Sequence, residues 1–273
     1  MKKIKILAIS LIAFATLNSC SKSECKYTDK DQTFPYSCNN GMDVAFVIDY
    51  TGSMGGAIND IKTSVGSIVS TIVTESGGDY RLSLSIFDEY QKGQNSTYFT
   101  NVDYTSLPSA NKKIITTGAF TDQHLTMMEK FGTANSTTFS SQLAKLNGAI
   151  PIGWGIGGPE PGGLLINEII NNAFAGTWRS GVTKLMIIIT DAQDGGDDDN
   201  NTILDDTYLS ALATQANADG IQCLLVTTLP SSNYEISLIN NNTTGVALVK
   251  TDFTNISTDI ITLIENICTD NNQ

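Results

Sequence analysis

Apolar and polar positions alternate along this chain in two modes. Short, nearly unbroken apolar runs rich in β-branched residues recur at Met42–Asp49, Tyr80–Phe87, Lys113–Thr117, Lys184–Asp191, Ile221–Thr228 and Gly245–Lys250. Between them, apolar positions fall at helical spacing over Ala57–Glu75, Thr137–Leu146, Gly162–Phe174, Thr202–Ala218, Asn233–Asn240 and Asn255–Ile267. A strand that is apolar on both faces must be covered on both faces. Such strands alternating with helices predict a doubly wound α/β fold, a mostly parallel central sheet with helices on both faces. Residues 41–270 hold no Pro- or Ser-rich linker and suit one domain.

The amino terminus follows a different pattern. Lys2, Lys3 and Lys5 precede an apolar stretch from Ile6 to Leu17, and then comes Leu17-Asn18-Ser19-Cys20. A basic start, a short apolar core and a small-residue box ending in cysteine predict a lipoprotein signal peptide over 1–19. Cys20 is then the lipidated residue and 20–40 a tether. The apolar stretch falls short of the roughly 20 residues that a membrane span needs, so the expected attachment is a lipid anchor alone. The polar run Ser21-Lys22-Ser23-Glu24 resembles the export tags of surface lipoproteins in Bacteroidetes-type bacteria. The expected location is the cell envelope, as an outer-membrane lipoprotein that can be surface-exposed.

Removing residues 1–19 takes away three lysines and no acid, which moves the formal charge from −12 to −15. A chain this acidic is repelled by phosphate backbones, so nucleic acid is not an expected partner. Cys25, Cys38, Cys223 and Cys268 remain, too scattered for a zinc cluster. An exported chain permits disulfides, and Cys25 or Cys38 pairing with Cys268 would join the two ends of the domain. Cys223, in an apolar run, could equally stay a buried free thiol.

The chemistry gathers where strands end. The first apolar run delivers Asp49-Tyr50-Thr51-Gly52-Ser53-Met54, one carboxylate and two hydroxyls in a tight turn before a helix. The run Leu185 to Ile189 likewise finishes on Thr190-Asp191. In a parallel sheet these ends share one edge, where open α/β sheets bind ligands. A strand-end Asp is often only a helix cap. Two of them beside Thr51 and Ser53 form an oxygen-only donor set suited to a hard divalent cation.

These residues resemble the metal-ion-dependent adhesion site of the von Willebrand factor A domain family, whose pattern is Asp-x-Ser-x-Ser with a distant Thr and Asp. Here Thr51 replaces the first Ser and keeps the hydroxyl. Within that family the chain is similar to the integrin β I-like branch, in which a Pro-Glu-Gly-Gly loop supplies a Glu ligand. The matching segment is Gly157-Gly158-Pro159-Glu160-Pro161-Gly162-Gly163, and Trp178-Arg179 and Thr190-Asp191-Ala192 follow in the same order. The resemblance implies a metal set of Asp49, Thr51, Ser53, Glu160 and Asp191 around Mg²⁺, or Mn²⁺ or Ca²⁺. It also implies a protein or glycan partner that offers a carboxylate to the ion. Gly55 and Gly56 stand where that branch has flanking acids, and Gly155 and Gly157 where it has Asn and Asp, so one central ion is expected instead of three.

Other chemistries fit less well. The glycines of 155–163 are not followed by the Lys-Ser/Thr of a phosphate loop, and they are expected to let backbone approach the ion. The run Asp194-Gly195-Gly196-Asp197-Asp198-Asp199-Asn200 lacks calcium-loop spacing and reads as a solvated acidic loop. His124, the one histidine, sits in what reads as a helix start capped by Thr121 or Asp122. No Gly-x-Ser-x-Gly elbow accompanies it, so an enzyme is not expected, and a metal-dependent hydrolase is the weaker alternative. A structural envelope component with a stabilising metal is the other. Trp178 is expected to pack the domain and Trp154 to reach a partner. Gln91 to Asn111 is the candidate partner-selecting loop.

Overall fold

The computed structural model describes residues 37–91, 106–116, 121–147, 158–196 and 200–270. Cys20, Cys25, Trp154, most of the 91–111 segment and Asp197–Asp199 lie outside these.

In chain order the strands are β1 (Met42–Asp49), β2 (Tyr80–Gln91), β3 (Lys112–Thr116), β4 (Thr121–Thr133), β5 (Pro159–Glu160), β6 (Thr183–Thr190), β7 (Gln193–Asp194), β8 (Ile221–Thr227) and β9 (Val246–Val249). The helices are α1 (Ile58–Glu75), α2 (Ser136–Leu143), α3 (Gly162–Asn171), α4 (Ile203–Ala218) and α5 (Ile256–Asp270). A seven-stranded sheet runs β3-β4-β2-β1-β6-β8-β9, and β5 and β7 form a separate pair. From β2 through β9 the neighbours are parallel. At the other end β4 runs antiparallel to both β2 and β3.

β1 explains why the sheet is wound on both sides. Met42, Val44, Phe46 and Ile48 enter one core with Ile58, Ile61, Val65 and Ile68 of α1 and Ile256, Ile260 and Ile264 of α5. The alternate residues Ala45 and Val47 enter the other, with Leu165, Ile166 and Ile169 of α3 and Leu209, Leu212 and Ala213 of α4. The two-residue period of a strand sends successive side chains to opposite faces, so a continuous apolar run needs two helical layers. Trp178 packs against the second core as expected, its ring edge-on to Phe131 at 4.8 Å.

The carboxyl ends of β1 and β6 lie side by side in register, Ile48 opposite Ile189. At the amino end of β1, Asp43 accepts hydrogen bonds from Arg81 (2.9 Å) and Arg179 (2.8 Å). Burial raises the Asp43 pKa, but the two guanidinium groups outweigh it and hold the carboxyl below the usual range. A disulfide joins Cys38 to Cys268, and Cys223 is a buried free thiol whose pKa burial pushes up to about 12.

Three sequence expectations change. Thr121–Leu125 does not start a helix but belongs to β4, with His124 opposite Asp88 of β2 and Ile114 of β3. Pairing on both sides outweighs the local capping signal of Thr121 and Asp122. Asn233–Asn240 forms not an ordinary helix but a short, wide π turn over Tyr234–Ile239. Asp194 is fully buried in β7 instead of standing in a solvated loop, because β5 pairs with it.

Candidate metal centre

β1 ends on Asp49, and the chain then leaves the sheet through Tyr50 and a single 3-10 turn over Gly52–Gly56 into α1. The Asp49 carboxylate organises that exit. Its Oδ1 accepts the Thr51 amide at 2.9 Å and the Thr51 hydroxyl at 2.6 Å. Its Oδ2 accepts the Thr190 hydroxyl from the end of β6 at 2.7 Å. Thr51 Oγ1 lies 3.3 Å from Ser53 Oγ, and Ser53 donates to Asp191 Oδ1 at 2.8 Å. Asp49, Thr51, Ser53 and Asp191 thus form one connected row of oxygens. Asp49 and Thr51 are buried, Asp191 is half-buried and Ser53 is exposed, so the row opens to solvent at its Ser53 end.

Glu160 reaches the row from β5. It is buried, and its carboxyl lies against Asp49 and the Thr51 hydroxyl. Oε2 has no hydrogen-bond partner. Burial first, and then the neighbouring carboxylates of Asp49, Glu89 and Asp88, push its pKa up to about 11. Burial raises Asp49 to about 6 against the hydrogen bonds of Thr51 and Thr190, with Asp191 adding to the rise. Burial also raises Asp191, against the hydrogen bond from Ser53. Among the described residues no lysine or arginine pairs with any of the three; the cations pair elsewhere, with Asp43, Asp79, Glu168 and Asp259.

The sequence-derived set of Asp49, Thr51, Ser53, Glu160 and Asp191 therefore converges on one edge. Among the described residues, however, no three acidic, imidazole or thiol side chains close round a point as an all-charged metal cage would. The three carboxylates of the set, Asp49, Glu160 and Asp191, therefore share this edge without forming such a group, and the connected part is the row of two carboxylates and two hydroxyls. The arrangement fits a hard cation on chemical grounds: oxygen donors only, and carboxylates with no basic partner among the described residues.

Several supporting residues were not singled out from the sequence. Thr190 ties Asp49 to β6, although Thr190-Asp191 was visible as a strand ending. Tyr50 exchanges hydrogen bonds with Asn147 through its hydroxyl, accepting the amide at 3.0 Å. Asp194 accepts the Gly163 amide at 2.7 Å and the Tyr234 hydroxyl at 3.1 Å. That packing by itself requires Gly162 and Gly163. A Cβ on Gly162 would lie 2.2 Å from the Tyr234 hydroxyl, and one on Gly163 would lie 2.3 Å from Asp194 Oδ2. Asp194 carried no signal of its own inside an acidic run.

No protein-family model matches the chain, and neither does any curated protein. Solved structures do. Proximal thread matrix protein 1 from the mussel byssus, with a zinc-occupied MIDAS motif, superposes with a TM-score of 0.52 at 13% identity, over 85% of this chain and 47% of that one. A second structure of the same mussel protein gives 0.50 at 12% identity over the same shares. A von Willebrand factor type A structure from Catenulispora acidiphila gives 0.49 at 10%, over 84% of this chain and 42% of that one. The chain spans less than half the length of these proteins. Likeness at such identity is one of fold. The chain shares the α/β fold of the mussel protein, a mostly parallel sheet with helices on both faces, and carries its oxygen row at the carboxyl edge of that sheet.

Proposed function

We propose that this chain is a cell-envelope lipoprotein whose von Willebrand factor A-type domain binds a protein or glycan through one divalent cation, Mg²⁺ or Mn²⁺. The observation that carries the reading is the row Asp49, Thr51, Ser53 and Asp191 with Glu160 behind it, in which the Asp49 and Glu160 carboxylates are buried and none of the three acids has a basic partner among the described residues. The mussel protein's zinc-occupied motif supports a divalent ion at such a site. Pro159-Glu160-Pro161-Gly162-Gly163 and Thr190-Asp191-Ala192 support the integrin β-like branch. Lys2 to Cys20 supports export and lipid anchoring, hence the outer membrane.

Asp49, Glu160 and Asp191 would supply charge and Thr51 and Ser53 neutral oxygens, with the solvent-facing Ser53 end left for the partner. Mg²⁺ held by these residues would supply a hard positive charge that attracts an oxygen ligand, such as a carboxylate of the partner. Thr190 keeps Asp49 aimed by taking its Oδ2. The buried Glu160 adds negative charge, which favours keeping the ion and weakens the pull on an acidic partner. The reading contains no catalytic step: His124, the one imidazole, belongs to β4, and burial lowers its pKa to about 4.

Calorimetric titration with Mg²⁺ and Mn²⁺ tests the proposal, with Asp49→Ala as control. One ion per chain, lost in the variant, is the expected result. Binding that survives the substitution moves the ion elsewhere. An ion that raises the melting temperature while EDTA leaves partner capture unchanged would make it a structural metal.

A further inference from the structure

We infer that Asp194 is a positioning residue for Glu160, fixing the short strand that carries Glu160 to the metal face. The inference rests on the metal reading and concerns a residue which that reading does not use.

Three segments from distant parts of the chain meet at Asp194. The first is β5: Glu160 stands opposite Asp194 in the parallel β5–β7 pair, and the Gly195 amide donates to the Glu160 carbonyl at 3.1 Å. The second is the start of α3, whose Gly163 amide donates to Asp194 Oδ1 at 2.7 Å. A free amide in the first turn of a helix seeks an acceptor, and a carboxylate there also meets the positive end of the helix dipole. The third is the π turn. Tyr234 donates its hydroxyl to the same Oδ1 at 3.1 Å, and Asn233 brackets the Asp194 backbone, accepting its amide at 2.8 Å and donating to its carbonyl at 2.9 Å. Glu160 is thus held at its own carbonyl, through Gly195 just after β7, and three residues on, through Gly163. The second fastening is made by the Asp194 side chain.

The chemistry of the carboxylate argues against a filler role. Asp194 is fully buried, and its Oδ2 has no hydrogen-bond partner. An unpaired buried carboxylate oxygen costs free energy that a neutral acceptor at the same place would not. What the residue does provide is an acceptor shared by α3 and the π turn on the strand that pairs with Glu160. A ligand group is only as well aimed as the residues that hold it, and metal affinity responds to such supports.

The test is a double-mutant cycle read by Mg²⁺ and Mn²⁺ calorimetry on the full chain. Asp194→Ala is expected to weaken cation binding by about tenfold in the wild-type background and not at all once Glu160→Gln is present. Asp194→Asn keeps a carbonyl acceptor for Gly163 and Tyr234 while removing the charge, and is expected to stay within roughly threefold of wild type, the net value of one hydrogen bond. Equal losses with and without Glu160→Gln, or an Asn variant as weak as the Ala variant, would overturn the inference in favour of a plain charge or folding effect. If Asp194→Ala does not fold, Tyr234→Phe removes a single donor and enters the same cycle, with a smaller loss that again must vanish beside Glu160→Gln. A wild type that takes up no cation defeats both the metal reading and this one. Cation binding with additive effects defeats this one alone.

Discussion

Thr190 donates its hydroxyl to Asp49 across 2.7 Å, joining the ends of two strands that are 141 residues apart in the chain. The same oxygen accepts the Ala192 amide at 3.1 Å, so the hydroxyl also shapes the turn that carries Asp191. Thr190→Val preserves shape and removes both bonds. We expect it to lower the stability of the metal-free chain by about 1–3 kcal/mol, the cost of leaving a buried acceptor unsatisfied. Cation affinity should fall by about 10-fold or more, because Asp49 loses the group that aims it. Urea denaturation in EDTA checks the first figure and calorimetry the second.

Asp49 should show the opposite balance. Burial pushes its pKa up to about 6, with Asp191 contributing, so without a cation its charge is a cost to the fold. Asp49→Asn removes that charge and keeps one carbonyl oxygen to accept from Thr51, while its Nδ2 donates to the Thr190 hydroxyl, which turns to accept. The expected outcome is complete loss of cation binding with no fall in the melting temperature of the metal-free chain, a trade of stability for function. If stability falls together with binding, Asp49 is chiefly a folding residue.

The same carboxylates set the pH response. Between about pH 6.5 and 8 the unfolded chain ionises Glu160 and Asp194 at ordinary carboxylate values. In the metal-free folded chain, burial first and the Asp49, Glu89 and Asp88 carboxylates next raise Glu160 to about 11, while burial raises Asp194 to about 7. The folded state therefore binds more protons, and stability falls as pH rises, by up to about 1.4 kcal/mol per unit for each proton of difference. Below about pH 6.5 His124, which burial lowers to about 4, opposes this with at most one proton on the unfolded chain, against those the folded chain keeps on Glu160, Asp194 and, near pH 6, Asp49. Melting in EDTA should thus improve on going from pH 8 to 6.5 and go on improving to about pH 5. Saturating Mg²⁺ should flatten the upper limb, because a bound ion keeps its carboxylates ionised. A metal-free curve that rises toward pH 8 would contradict the assignment.

The sequence made the two-sided sheet legible because it is local: an unbroken apolar strand such as Phe46-Val47-Ile48 requires cover on both faces wherever it pairs. Asp49, Thr51, Ser53, Glu160 and Asp191 were equally visible, since each lies in a short pattern at a strand end or turn. What escaped depends on long-range pairing. β4 looked like a helix start because Thr121 and Asp122 are good caps and nothing local announces β2 and β3 as neighbours. Asp194 was lost among acids, as its burial is conferred by Pro159–Glu160 and by Tyr234, far away in sequence. Gly162 and Gly163 had a visible composition whose reason, the approach of Tyr234 and Asp194, lies in the fold alone.

The disulfide provides the last separation of fold from site. Cys38 lies just before β1 and Cys268 near the end of α5, at a sequence separation of 230. The bridge therefore closes almost the whole domain at the amino end of β1, the edge opposite Asp49. In the chain-entropy account, a loop of this length restricts the unfolded state by about 5 kcal/mol, an upper figure because unfolded chains keep residual structure. The paired substitution Cys38→Ser with Cys268→Ser should lower the stability of the metal-free chain by several kcal/mol, on the order of 2–5. Cation affinity at a temperature where the variant is still folded should remain within about twofold, as distant independent sites behave additively. Denaturation and calorimetry on the same sample decide the matter: a large loss of affinity in the folded variant would mean that the two edges of the sheet are mechanically coupled, and that the bridge belongs to the site as well as to the fold.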